Sequence, residues 1–351
     1  MNHCLALCFL FIGALLSAAP TIEILAELNY RRPGNPAVTP DGTVYFSMHP
    51  FDDPHHKVMK LNEDGSFEPF PYVGISKNFS AVIGIQSDSK GRVWILDMGS
   101  EEKSPKLFAW DTASNSLHKV IYIPNEALVA NSFLQDFAID EKHGMIYIAD
   151  MSRSGMIDAS EPAIIVVDLE HGFSRRVLQS FSAFQPKFGE VMITEGTPTT
   201  FTDEAGTHHP LEIGLNPIAI DAQNEWVYFS TIHPGSLFRI PAATLATPHL
   251  RMTPLIDSIE LFAPKPTSDG IAADGKGRVF ITNLEDNAIS IADESGTRIW
   301  VQDDRFVWPD GVYVAPDGSV VATINQLNRA APFNKGKDGA KPPYYIVRIS
   351  E

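Results

Sequence analysis

Six times along this 351-residue chain the same short pattern returns: a mostly polar first position, a brief apolar run, a tight Asp/Gly-rich turn, and a second β-rich run. Residues 268–284, SDGIAADGKGRVFITNL, show it most plainly. Two short β-branched and aromatic runs joined by a Gly-containing turn read as a β-hairpin. Aligned on Asn35, Ile83, Gln135, Asn216, Asp269 and Asp310, the copies are spaced by 48, 52, 81, 53 and 41 residues. A period of about 40–50 residues with four strands per unit predicts a β-propeller blade. The chain is therefore expected to be all-β, a six-bladed propeller.

Further strand-like runs follow each hairpin, at 58–61, 107–110, 164–167, 237–240 and 289–292. The last repeat has only 344–349 before the chain stops, while 21–28, TIEILAEL, has no partner nearby. Adding that first strand to the last blade would close the ring and remove an open sheet edge. Residues 20–351 then form one domain, and 44% hydrophobic residues suffice for a large core.

Residues 4–16 are an apolar run followed by Ser17, Ala18 and Ala19, which reads as a secretory signal over 1–19. Both cysteines, Cys4 and Cys8, lie inside it, so the mature chain is expected to hold no disulfide. No other run is long enough to span a membrane. A net charge of -16 repels phosphate backbones and argues against nucleic acid as a partner. No nucleotide-binding Gly loop, Ser-His-Asp order or CxxC is present.

In a propeller the first strands surround a central channel, so the aligned polar positions Asn35, Gln135, Asn216, Asp269 and Asp310 should converge there, with Asp136 beside them. Asp97, Asp150, Asn283 and Asn325 stand at second-strand exits and could rim the same pocket. Long segments follow second strands or precede first strands, so they share one face, and the largest, 181–215, should overhang the ligand. An oxygen-rich ring suits Ca²⁺ or another divalent cation. It equally suits an ammonium group, with Phe306, Trp308 or Phe137 for cation–π contact. Against both stands the plain role of Asp-Gly and Asn-Pro as turn formers. His49, His55 and His56 with Asp52 and Asp53 have metal-ligand residue types but no standard spacing, so a solvated loop is the simpler reading. His208 and His209 in the long insert could act as acid–base groups or merely decorate the surface.

Several segments resemble the major royal jelly protein and yellow family: FLQDFAID at 133–140, IYIAD at 146–150, GLNPIAID at 214–221, SLFRIP at 236–241, SDGIA at 268–272, WPDGV at 308–312 and NQLN at 325–328. The resemblance implies a secreted six-bladed propeller. Relatives bind biogenic amines or sterols, or act as dopachrome-converting isomerases, which leaves enzymatic activity open. Unlike the insect members, this chain keeps no mature cysteine. The channel positions also resemble those of gluconolactonase and regucalcin propellers. That likeness implies Asn216 and Asp269 as ligands of a divalent metal and Gln135 as a substrate contact, with Asn35 where that family has a carboxylate. A small molecule at the channel mouth is the first expectation and a metal-dependent lactonase the alternative.

Overall fold

Each repeat folds through its own turn chemistry. In the fifth, Asp274 Oδ1 accepts the backbone N–H groups of Lys276 (2.7 Å) and Arg278 (2.9 Å), and Gly277 takes a left-handed φ of +78°. Such an Asx turn reverses the chain in a few residues, and only Gly adopts that φ without strain. Asp88 repeats the device on Lys90 and Arg92. The computed structural model describes residues 19–153, 156–157 and 159–351.

The hairpins extend into six four-stranded antiparallel sheets. Blade 5, for example, comprises Ile271–Ala273, Val279–Asn283, Ala288–Asp293 and Gly296–Gln302, in that order from the axis outward. The first strands pack against one another around the axis, and Pro309–Val314 of blade 6 meets Pro33–Val38 of blade 1 to complete the ring. Thr21–Leu28 pairs antiparallel with Tyr344–Ser350 and becomes the outer strand of blade 6, as the orphan N-terminal segment foretells. The expected signal segment falls almost wholly outside the described residues.

One apolar cluster fills each interface between blades. Phe280, Ile291, Val320 and Ile349, for instance, lock blade 5 to blade 6. Burying each such side chain contributes about 1.5–3 kcal/mol, which suits a fold without disulfides. Among the described residues no helix is long and apolar enough to cross a membrane.

The two faces differ as expected. One carries the tight first turns together with the links from third to fourth strands, which in blade 4 lengthen, beyond the sequence expectation, into the two short helices Ala242–Ala246 and Met252–Asp257. The other carries the insert 181–215, which folds as two small hairpins, Ile193–Thr194 with Thr197–Pro198 and Thr200–Thr202 with His208–Pro210. Met192, Leu211 and Ile213 of this insert pack with Trp308, Leu327 and Phe333 into an apolar roof over the channel. Glu195 clamps the insert to the blade 6 exit loop by accepting from Asn328 Nδ2 (2.8 Å) and Arg329 Nε (2.9 Å).

Candidate functional site

The Asp-Gly pairs read as turn formers in the sequence, but Gly84, Gly270 and Gly311 are needed for close approach at the axis. A Cβ on Gly270 would stand 2.4 Å from the Asp310 carbonyl oxygen, and one on Gly311 would stand 2.6 Å from Asn35 Cα. On Gly84 it would meet Asp136 Oδ1 at 3.0 Å. Pairing also slips in register where most inner strands begin, between Pro33/Pro36, Val82/Ile85, Leu134/Asp136, Leu215/Ile218 and Pro309/Val312. A bulge there re-aims side chains, here toward the axis.

A second-strand hydroxyl stitches the start of three inner strands, in blades 5, 6 and 1. Thr282 Oγ1 accepts the N–H groups of Asp269 (3.0 Å) and Gly270 (2.9 Å). Thr323 Oγ1 accepts from Gly311 (3.1 Å), and Ser47 Oγ accepts from Asn35 (2.9 Å) while donating to the Ile83 carbonyl (2.7 Å). Sequence reasoning missed these residues. Their signal was a Ser or Thr near the end of the second strand in three repeats.

Asp269 is the hub. Its Oδ1 accepts from Asn216 Nδ2 and its Oδ2 from Trp308 Nε1, both at 2.7 Å. Trp308 holds this position with a left-handed φ of +53°, a strained conformation for a bulky residue and typical of functional sites. Asp310 adjoins Asp269 and accepts from Asn325 Nδ2, which also donates to the Pro33 carbonyl at 3.1 Å. Asp136 accepts the N–H of Phe137 (2.8 Å) and contacts the amides of Gln86 and Asn35. Asn35, Gln135, Asp136, Asn216, Asp269 and Asp310 are all less than a tenth exposed. Asn216 Oδ1 is buried without any hydrogen-bond partner.

Asp136, Asp269 and Asp310 are buried near enough for their charges to act on one another, and such carboxyls cannot all ionise cheaply. Burial raises Asp136 to about 7, with the charge of Asp269 adding to the effect. Burial and then Asp269 hold Asp310 well above the usual carboxylate range. Burial also raises Asp269, opposed by the donors Trp308 and Asn216. Without a cation, the adjoining Asp269 and Asp310 carboxyls thus share a proton between them. Nearby Lys265 is itself pushed down to about 7 by burial and gives its ammonium to the carbonyls of His233 (2.9 Å) and Pro266 (2.8 Å).

Two very unequal cavities lie toward the two faces of the ring. Under the insert lies a cavity of about 30 Å³, bordered by Gln135, Asn216, Asp269, Trp308, His49 and Phe333. That is room for about two waters, or one ion or ammonium head. At its edge His49 is neutral, because burial lowers it to about 3. Its Nδ1 accepts the Phe51 N–H (3.2 Å), which leaves the proton on Nε2. On the opposite face a funnel of about 730 Å³ opens, with Gln86 and Phe137 among its lining residues. The spacious end is therefore not the insert-bearing face on which the sequence led us to expect the ligand.

Not every expected residue joins this cluster. Asn283 spends its side chain on its own turn, donating to Asp286 Oδ2 (2.9 Å) and accepting the N–H groups of Glu285 and Asp286. Asp97 caps Ser80, Ala81 and Gly99 and pairs with Lys106; Asp150 caps Phe133 and Ser152 and pairs with Arg176. Phe306 belongs to the core between blades 5 and 6. Asp52 is taken by Arg32, and His55 meets His56 edge to face, so the first-blade loop gathers no metal set. His209 pairs with Asp203 within its own hairpin. Among the described residues no three His, Cys, Asp or Glu side chains stand grouped as metal ligands, so a divalent ion would depend on amide oxygens. The unpartnered Asn216 Oδ1 beside Asp269 fits that chemistry.

Fold and channel define a six-bladed propeller with a buried carboxylate and amide cluster on its axis. Residues 80–298 match the family model described as major royal jelly protein, and the chain belongs to that family. No curated protein matches it in sequence. Among solved structures it is similar to a gluconolactonase from Xanthomonas campestris at 11% identity, with TM-score 0.56 and 94% and 89% of the two chains covered. It is also similar to regucalcin, a calcium-binding protein from Agrobacterium tumefaciens, at 16% identity, TM-score 0.56 and 95% of each chain. A luciferin-regenerating enzyme aligns at 13% identity and TM-score 0.58 over 95% and 96%. At these identities the likeness concerns the fold.

Proposed function

We propose that this protein is a secreted small-molecule-binding propeller that holds the positively charged group of its ligand at Asp269, Asp310 and Asp136 within the central channel. The observation that carries this reading is the buried carboxylate cluster, kept partly protonated for want of a counter-charge. A cation replaces the shared protons and relieves the repulsion, and Asn216 Oδ1 gains the partner it lacks. Trp308 borders the same cavity and offers its ring to the cation. The apolar segment at the N-terminus and the family membership support secretion.

Calorimetric titration with methylammonium at pH 8 tests the reading. The wild type should bind and Asp269→Asn should bind at least tenfold more weakly; a silent wild type, or equal affinity in the variant, removes the idea.

A second reading, a divalent-metal lactonase, is favoured by the unpartnered Asn216 Oδ1 next to Asp269, since a hard cation takes such an oxygen pair. A bound divalent ion would supply Lewis-acid polarisation of a lactone carbonyl. Asn216 and Asp269 would hold it, and Gln135 would orient the substrate. Calcium binding that Asp269→Asn abolishes, together with chelator-sensitive lactone hydrolysis, would favour this reading over the first.

A further inference from the structure

We propose that the ligand enters and is selected from the face of the tight turns: its apolar body lies in the 730 Å³ funnel while its cationic head reaches the carboxylates from that side. This rests on the cation reading above and adds to it the route, the size class and the residues that choose the ligand.

Volume is the first ground. The cavity under the insert measures only about 30 Å³ and is bordered by Leu327, Phe333 and, from the insert, Ile213, with the insert held in place by the Glu195 clamp. Sites for drug-sized ligands run roughly 300–1,000 Å³, a range the funnel meets and the roofed cavity does not. The second ground is continuity. Gln86 lines the funnel and its amide contacts the Asp136 carboxyl, while the charge of Asp269 acts on Asp136 in turn. Gln86 and Asp136 therefore join the funnel floor to the cluster.

Wall chemistry is the third ground. Val38, Ala138, Ala219, Ala272 and Val312, from five different blades, contribute small apolar side chains to the lining. Larger apolar side chains, Phe137, Ile139, Ile220 and Tyr313 among them, complete a wall suited to an apolar body, whereas the cavity under the insert is bordered mainly by Phe, Met, Ile and Leu and has little free space. The charged lining residues are four acids, Asp88, Glu141, Asp221 and Asp274, against two bases, Lys276 and Arg278, a balance of −2. Arg278 is already paired with Asp274 at 2.8 Å. The entrance thus repels anions and admits a cationic amphiphile, and the chain's net charge of -16 steers in the same sense.

Ala273 and Val314 are half-buried residues on neighbouring blades that line the funnel and also pack against the clusters between blades, so a tryptophan at either narrows the funnel and its fold is checked by melting. The test compares dansylcadaverine, a primary ammonium with a bulky apolar body, with methylammonium, the head group alone, on wild type, Ala273→Trp and Val314→Trp. Dansylcadaverine fluorescence titrations should weaken at least tenfold in each variant, while methylammonium binding stays within twofold and thermal melting shows both variants folded. If both fold and bind dansylcadaverine like the wild type, the body does not lie in the funnel and the inference fails. If methylammonium does not bind the wild type but dansylcadaverine remains sensitive to both tryptophans, the carboxylate reading fails while the funnel keeps its assignment.

Discussion

Asp136→Asn should stabilise the unliganded protein, and increasingly so as pH rises. Asp136 sits at about 7 in the folded state, against 3.8 for an ordinary aspartate. An acid raised in this way binds more protons folded than unfolded, so its contribution to stability is lost as pH rises from about 4 through 7. At 1.36 kcal/mol per unit the full penalty is about 4 kcal/mol, of which about 3 kcal/mol accrues between pH 5 and pH 8. For a chain of this length the unfolding entropy is roughly 0.7 kcal/mol/K, so that increment equals about 4 °C in Tm. The asparagine keeps an acceptor for the Phe137 N–H but turns its NH₂ toward Gln86 or Asn35, a pH-independent loss of about 1 kcal/mol. The assay is thermal unfolding of wild type and variant from pH 5 to 8 in chelator and without amine. The difference in Tm, variant minus wild type, should grow by about 4 °C across that range. A constant difference would refute the view that Asp136 is a buried, proton-bearing carboxyl.

Gly311→Ala forces a Cβ to within 2.6 Å of Asn35 Cα, so the closure between blades 6 and 1 should loosen by about 1–3 kcal/mol, read as a lower urea midpoint. Thr282→Val leaves the N–H groups of Asp269 and Gly270 buried without an acceptor and should cost about 2–4 kcal/mol by the same measurement, with weaker methylammonium binding as Asp269 drifts. Asn283→Ala removes a turn cap and a bond to Ser290 Oγ but no contact with the axial carboxyls; urea unfolding should register about 1–2 kcal/mol, and cation affinity should not change.

Much of this architecture can be read from the chain because the inner hairpins are both locally and globally consistent. Their Asp turns, β-branched runs and common spacing all demand the same strands. The outer strands were harder to see. Phe67–Pro69 and Gly296–Gln302 lie at blade edges with several exposed positions, so one-sided burial leaves them little apolar pattern. At the site, Asn35, Gln135, Asn216, Asp269 and Asp310 were visible because each holds the same place in its repeat. Blade 2 presents Ile83 there and supplies its polar group three residues later, at Gln86, which no alignment on the first position would find. The bond from Trp308 to Asp269 joins residues 39 apart on neighbouring blades, beyond any local pattern. Asn283 and Asn325 show why position alone misleads. Blade 5 turns at once after its second strand, and that turn claims the Asn283 amide. Blade 6 leaves by a long loop, so Asn325 stays free to donate to Asp310.

The presence of a cation among these carboxylates is tested most directly by proton release. Methylammonium should be titrated calorimetrically at pH 6.5 in two buffers of different ionisation enthalpy, where Asp136 is largely protonated before binding. A channel that takes the cation at this cluster will release a substantial fraction of a proton on binding, and Asp136→Asn will release less. Binding with no buffer dependence, or no binding at all, would contradict it.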